Sequence, residues 1–373
     1  MKISTLFDVA RRTLEARIRK GLGLTPRPYK LLLELTGLCN SRCTHCGIWK
    51  NDRDTVQSEL RIEEIDRSLA QMGRDLVWLA LSGGEVTIYK NFPELVESIR
   101  KNCPNLSLVT FTTNGLLPKR ALEYAQLLNS LGTDLFITVS LDGDVETHDQ
   151  IRGRPGNYAL AQETFHLLKI ANIPVHFGVT LSDANAPFIE RDYASFAKEM
   201  KAVTFVHSDG IYGQKNPMSD AILSRSLKTV SKHYRIRTPG EFLEKVYLEL
   251  GLIFLKEGRS TNVISCEVLH TSLHVRPNGA VHPCMFLPEL GNLRVQSYQE
   301  ILRSEKTTSA LETIAKDRCS HCWMNCYAPH SVLMHPIQAM QRLLGSRIKE
   351  RFENHPAVSS ENSRIHNGHP SQL

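Results

Sequence analysis

Leu31-Leu32-Leu33-Glu34-Leu35-Thr36-Gly37-Leu38-Cys39-Asn40-Ser41-Arg42-Cys43-Thr44-His45-Cys46 is the stretch on which the reading of this chain turns. A short β-rich run opens it. Three cysteines follow at once on what reads as a loop, spaced Cys-x3-Cys-x2-Cys with no fourth cysteine nearby. Thiolates hold iron–sulfur clusters, and full coordination of a cubane takes four of them. Cys39, Cys43 and Cys46 would leave one iron without a protein ligand, and an open position distinguishes a catalytic metal site from a structural one. A zinc knuckle completed by a distant fourth ligand fits the same spacing.

Outward from this strand the chain alternates. Further β-rich runs at 76–81, 106–112, 135–141, 175–181 and 203–207 are separated by amphipathic, helix-length stretches near 62–72, 92–101, 119–131, 158–171 and 187–201. Repeated strand–helix units imply an α/β fold with a parallel sheet and helices outside it. Six strands suit a partial (β/α)6 barrel, TIM-like but not closed, whose chemistry should collect at the C-terminal strand ends. After Gly210 the alternation stops. Residues 220–235 and 240–256 read as helices, and Pro277-Asn278-Gly279 reads as a hairpin turn between strands at 273–276 and 280–286. Two short helices, a cysteine group and a basic amphipathic helix at 337–352 follow. The tail from about Asn354, rich in Ser, Asn, His and Pro, reads as disordered; its His355, His366 and His369 are read as solvated. The expected divisions are a basic N-terminal helix at 1–28, the barrel at 29–215, a helical connection at 216–260, a cysteine-rich extension at 261–335 and the last helix and tail at 336–373.

Further short motifs fall, in order, at the ends of successive strands. They are Leu81-Ser82-Gly83-Gly84-Glu85, Thr112-Thr113-Asn114-Gly115, and Ser140-Leu141-Asp142-Gly143 followed by His148-Asp149-x-x-Arg152-Gly153. With Cys-x3-Cys-x-aromatic-Cys, where His45 takes the ring position, this set resembles the radical S-adenosylmethionine superfamily over residues 29–210. The resemblance implies that Cys39, Cys43 and Cys46 hold a [4Fe–4S] cluster whose open iron chelates the methionine end of the cofactor. It further implies that Gly83 and Gly84 let backbone approach the cofactor and that Glu85 accepts from its ammonium group. Ser140 and Asp142 would serve its carboxylate or ribose, His45 would pack near the adenine, and Asn114 is a further cofactor contact. The activity implied is reductive cleavage to a 5′-deoxyadenosyl radical, which abstracts hydrogen from a substrate carbon. Val86-Thr87 replaces the Pro often found after Gly-Gly-Glu, a local departure only.

The second cysteine group runs Cys266, Cys284, Cys319, Cys322 and Cys326. Two knuckles joined by a hairpin have metal-site spacing, and zinc suits four thiolates as well as iron does. Cys-x12-Gly-x4-Cys followed by Cys-x2-Cys-x3-Cys resembles the SPASM and Twitch extensions of the same superfamily, which carry auxiliary [4Fe–4S] clusters. Five cysteines where the full pattern has seven imply one auxiliary cluster, with Cys266, Cys284, Cys319 and Cys322 as ligands and Cys326 as a fifth candidate. The reaction implied is an oxidative one, a dehydrogenation or crosslink in a peptide or small molecule, with a low-potential donor such as flavodoxin or ferredoxin. Two alternatives stand beside it: modification of a lipid-linked, sugar or cell-envelope precursor, and a non-catalytic iron–sulfur or zinc scaffold. His207, Asp209 and Tyr212 follow the sixth strand and are further candidates for the cavity.

Charge narrows the partners. The formal net charge is +6, and residues 1–30 alone carry eight Lys or Arg against Asp8 and Glu15, so the remainder is formally neutral. A nucleic-acid binder would spread its basic residues over the main fold, so nucleic acid is not expected as a partner. No signal sequence or membrane-length apolar run is present, and a cytoplasmic location is expected. Grouped cysteines in such a compartment read as metal ligands, leaving Cys103 as a small buried hydrophobe. Residues 3–20 form an amphipathic helix with Ile3, Phe7, Ala10, Leu14 and Ile18 on one stripe and arginines opposite. Such a helix either packs across the barrel bottom with its arginines in solvent or lies on the inner face of the membrane through residues 1–20. No strands precede Tyr29, so the peptide-recognition domain that many peptide maturases carry is not expected.

Overall fold

The computed structural model describes residues 2–51, 58–207, 219–259, 262–319 and 321–354. Six parallel strands carry the fold: β1 (Lys30–Glu34), β2 (Trp78–Ser82), β3 (Leu108–Thr113), β4 (Asp134–Ser140), β5 (Val175–Leu181) and β6 (Met200–Phe205). They lie in sequence order, each hydrogen-bonded to the next, and β6 has no further neighbour among the described residues. The sheet is open, a partial barrel as expected.

Successive side chains of a strand point to opposite faces. The register aligns Leu31 with Leu79, Leu79 with Val109 and Val109 with Leu135, placing one apolar row on the outer face. That row is buried under the helices α2 (Ile62–Met72), α3 (Phe92–Asn102), α4 (Pro118–Asn129), α6 (Asn157–Ile170) and α7 (Ala186–Phe196). Aromatic stacks seal the seam, with the Phe92 and Tyr124 rings 3.9 Å apart and those of Phe165 and Phe177 4.1 Å apart. The concave face carries Trp78, Ala80, Thr110, Phe136, Thr138 and His176, all half-buried. It is a cavity wall rather than a core.

The cysteine-rich extension is built into this sheet. After α8 (Asp220–His233) and α9 (Pro239–Lys256), β7 (Ser272–Val275) pairs in parallel with the free edge of β1, Lys30 opposite Ser272 and Leu33 opposite Val275. β8 (Ala280–His282) and β9 (Gly291–Asn292) continue antiparallel. Gly279 in the turn has φ +85°, a left-handed conformation that side chains disfavour. The remaining elements are α10 (Tyr298–Arg303), α11 (Glu305–Ala315), α12 (Ala328–Met334) and α13 (Pro336–Asn354).

The N-terminal helix α1 (Ile3–Gly21) crosses the amino ends of the strands. Lys2 N donates to Asp134 at the start of β4, Arg12 to the Asp75 carbonyl before β2, and Thr13 pairs with Tyr29 before β1. It packs at the barrel bottom, but with the opposite face inward from that expected. Arg12 and Thr13 are buried, whereas Ile3, Phe7, Leu14 and Ile18 are exposed.

Cys103 caps α3, buried, its sulfur against Gly73. Burial pushes its thiol up to about 12, so it stays protonated and inert. Cys103→Ala should cost about 1 kcal/mol, the loss of one buried atom with partial collapse of the gap. Urea unfolding and iron analysis check this: a fall in bound iron would contradict the structural role.

Candidate active site and auxiliary cluster site

The first cysteine loop leaves the carboxyl end of β1 and is zipped against the loop after β2. Leu35 N donates to Ser82 O at 2.9 Å, Gly84 N to Thr36 O at 2.7 Å and Glu85 N to Leu38 O at 2.8 Å. A Cβ on Gly84 would lie 1.7 Å from the Leu38 carbonyl oxygen, and one on Gly83 would lie 2.5 Å from that of Thr36. The two glycines therefore admit the backbone that carries Cys39. In this structure, close approach of chain to chain explains them, where the family pattern alone suggested approach of the cofactor.

Glu85 is buried, and its carboxylate accepts from Thr87 N and Oγ1, Thr113 Oγ1 and Asn114 N at 2.7–3.1 Å. An ionised carboxylate offers about four acceptor sites. Three of the donors share Oε1 and one reaches Oε2, so Glu85 ties the β2 loop to the end of β3 and keeps an acceptor site on Oε2. Asn114 is thereby placed with its amide 2.7 Å from Asn40 Oδ1 and 3.9 Å from the Cys39 sulfur.

The other side of the loop rests on α5 (Val145–Arg152). Arg42 N donates to the Arg152 carbonyl and Thr44 N to that of Ile151, at 2.9 and 2.8 Å. Gly153, at φ +59°, ends the helix, and a Cβ there would meet the Arg42 carbonyl at 2.5 Å. The buried Arg152 guanidinium lies 2.7 Å from Asp142 Oδ2 and 3.7 Å from the Cys43 sulfur. Asp142 Oδ1 accepts from Thr180 N, and Asp142 N donates to His148 Nδ1. Burial alone would raise the Asp142 carboxyl, but Arg152, helped by His45 and His148, outweighs it and holds the group below its ordinary value. Asp142 thus acts inside the protein, as the counter-charge of Arg152. Ser140 ends β4 on the concave side, and burial pushes His45 down to about 4.

These sulfurs fit an iron–sulfur cluster. Burial pushes Cys39 up to about 12, with Glu85 adding to it, and burial also raises Cys46. Buried thiols of that kind lose their protons to a metal, and donors aimed at two of the sulfurs, Arg152 and Asn114, suit the resulting thiolates.

Cys266, Cys284, Cys319 and Cys322 line one cavity of about 370 Å³, its opening included, with Phe286 and Tyr327 among the other walls. Burial raises the thiols of Cys266, Cys284 and Cys322, and neighbouring thiols raise them further. That mutual repulsion is what bound cations relieve. Among the described residues no three His, Cys, Asp or Glu side chains are grouped for a single metal ion; these four sulfurs surround a space. Cys326 stands apart from that lining. Its carbonyl accepts from Lys30 Nζ at 2.8 Å, and burial pushes Lys30 down to about 8, an effect that Cys326 partly offsets. Cys284, Met285, Met324 and Tyr327 pack with Leu32, on the concave face of β1. The auxiliary cavity and the barrel interior therefore share a wall.

Some site residues carried no signal of their own in the sequence. Arg152 lay within a quoted motif but had no role assigned. Glu34 and His274, paired at 2.9 Å across β1 and β7, lie 240 positions apart. His207 is buried at the end of β6, its ring 5.8 Å from that of Phe286; burial, then Arg259, pushes it down to about 3. Asp209 and Tyr212 lie outside the described residues, as does the tail with His355, His366 and His369.

Comparison with known proteins agrees with this geometry. Residues 33–185 match the radical SAM superfamily and residues 266–326 match the SPASM iron–sulfur cluster-binding domain. The chain belongs to the radical SAM superfamily and carries a SPASM domain. Domains of the first kind hold a [4Fe–4S] cluster and S-adenosylmethionine, and those of the second hold auxiliary iron–sulfur clusters. The chain is 25% identical over 307 residues to the antilisterial bacteriocin subtilosin biosynthesis protein AlbA of Bacillus subtilis, covering 80% of this chain but 64% of that protein. It is 27% identical over 330 residues to the AdoMet-dependent heme synthase of Methanosarcina barkeri, covering 81% and 90%. Its fold is similar to that of native anSMEcpe with bound AdoMet, with a TM-score of 0.59 and 18% identity over 86% of this chain and 99% of that one.

Replacing Arg152 by Met strands Asp142 as a buried charge and should cost about 3–5 kcal/mol, whereas Asp142→Asn with Arg152→Met together should cost less. In the native protein the Asp142 pKa is lowered, so the pair's contribution is complete above about pH 4 and is lost as pH falls through the lowered folded value. With Arg152→Met the sign reverses: Asp142 rises above its unfolded value, and the single variant should regain stability as pH falls toward 4. Urea unfolding at pH 7 and pH 4 reads both effects; equal losses in single and double variants would refute the pairing.

Proposed function

We propose that this chain carries out a radical-based oxidative modification, a dehydrogenation or crosslink, with a peptide as the leading substrate class. What carries the reading is the pair of thiol sites flanking one half-exposed concave face. When bound, the cluster and S-adenosylmethionine supply reductive carbon–sulfur cleavage and hydrogen abstraction from a carbon. Cys39, Cys43 and Cys46 would hold that cluster, with Arg152 and Asn114 donating toward its sulfurs. Glu85, Gly83 and Gly84 fix the loop, and Ser140 and His45 face the cofactor. Cys266, Cys284, Cys319 and Cys322 would hold the auxiliary cluster, whose place behind Leu32 suits removal of an electron from a substrate lying on the concave face. Cys326 is kept for the wall beside Lys30 rather than for ligation.

AlbA, a bacteriocin biosynthesis protein, favours the peptide. The heme synthase, matched along most of its own length, keeps a small-molecule substrate as the second reading. A low-potential donor such as flavodoxin or ferredoxin would deliver the reducing electron. The segment 261–335 would work as a continuation of the barrel wall, through β7.

Anaerobic protein given dithionite and S-adenosylmethionine should release 5′-deoxyadenosine, and Cys39→Ala, Cys43→Ala and Cys46→Ala should each abolish this. The Cys319→Ala, Cys322→Ala double variant should fall from about eight irons per chain to about four and keep cofactor cleavage. Cleavage that survives loss of Cys43, or a wild type loaded with iron that never cleaves, would reject the assignment.

A further inference from the structure

Surface helices ordinarily turn their apolar stripe to the protein and their charges to water. α1 does the reverse. Its docked side is mainly polar: Thr5 and Thr13 bond to Ser107 O and Tyr29, Arg17 to the Met334 carbonyl, and Lys20 to Glu267, while Ala16 and Val9 supply a small apolar contact with Tyr29 and Met334. The barrel bottom offers carbonyls and carboxylates, and these select the arginine side. The outward side is left with Ile3 at 86% exposure, Phe7 at 68%, Leu14 at 56% and Ile18 at 54%, continued by Leu22 at 68%. α13 begins beside it, through the Arg17–Met334 bond, and exposes Ile337, Met340 and Leu344.

The charges around this face have one sign. Glu15 is held by Arg12 and Arg27, and Asp8 accepts from Ser107 on the barrel side. Spacing of about 100° per residue puts Arg11 and Arg17 on opposite flanks of the stripe; both residues are exposed, Arg17 while spending its Nε and one Nη on the Met334 carbonyl. A second copy of the chain would bring like charge against like. No described helix is long and apolar enough to cross a membrane, so a contact here lies on a surface.

We propose that the outward face of α1, extended by the start of α13, seats the protein on an anionic phospholipid surface. The apolar stripe enters the headgroup boundary and the flanking cations meet the phosphates. α1 lies at the amino ends of the strands, and the cysteine loop and its partner motifs lie at the carboxyl ends. Attachment therefore turns the barrel mouth away from the bilayer, with a strand of seven residues, about 23 Å, between them. Surface binding and a lipid-linked substrate, which the sequence suggested together, come apart: the seated enzyme faces its substrate from the aqueous side.

Flotation of the full-length chain tests this. With phosphatidylcholine vesicles containing about 30 mol% phosphatidylglycerol it should bind at least roughly tenfold more than with phosphatidylcholine alone, and less at high salt. The double variant Phe7→Ser, Ile18→Ser should lose about tenfold or more of that binding. Its melting temperature and 5′-deoxyadenosine release should be unchanged, because both side chains are exposed. No flotation on anionic vesicles, or flotation indifferent to the double variant, overturns the proposal. So does a concentration-dependent dimer in sedimentation that the same variant dissolves, which would make the face a self-interface.

Discussion

The Asp142–Arg152 pair, closed at 2.7 Å with both partners buried, holds the site together. Asp142 comes from the end of β4, is met by the backbone of β5 through Thr180, and is read by His148 of α5. Arg152 passes the connection to the cysteine loop through its carbonyl and its guanidinium. Two charges taken out of water cost several kcal/mol each, and only close geometry with further hydrogen bonds offsets that. Here the cost leaves a fixed positive group beside a sulfur expected to carry negative charge. The same pair that ties four segments together thus sets the field around the loop.

The second site depends on the first strand as well. β1 is flanked by β2 on one side and β7 on the other, and its concave residues Lys30, Leu32 and Glu34 touch the Cys326 carbonyl, the Cys284–Tyr327 cluster and His274 in turn. One five-residue strand therefore carries the radical SAM cysteines at its end and the auxiliary wall along its inner face. The backbone pairing of β1 with β7 links the two sites directly.

Local patterns were legible in the sequence, and long-range choices were not. Five of the six β-rich runs match strands within two residues; β6 starts three residues early, next to a register shift at Phe177/Gly178. The motifs fell at strand ends because parallel α/β chemistry collects there. The periodicity of α1 showed its stripe but not which side would face inward, since that depends on carbonyls and carboxylates at the barrel bottom. The donors around Glu85 come from the β2 and β3 loops, which spacing alone does not bring together. The pairing of β7 with β1 joins residues about 240 apart, and no local signal encodes it. Cys326 is absent from the cavity lining that the other four share, a difference that spacing does not carry.

That pairing has a consequence in time. A ribosome releases β1 early and β7 only some 240 residues later, so the growing chain carries one strand edge open for most of its synthesis. An unpaired edge is a template for the wrong partner, and contacts so far apart in sequence form slowly. The half of the molecule bearing the first three cysteines is finished long before its wall is. Iron arriving early would meet the first cysteine loop before the auxiliary wall exists, and closing β7 onto β1 is the step that brings that wall to the barrel.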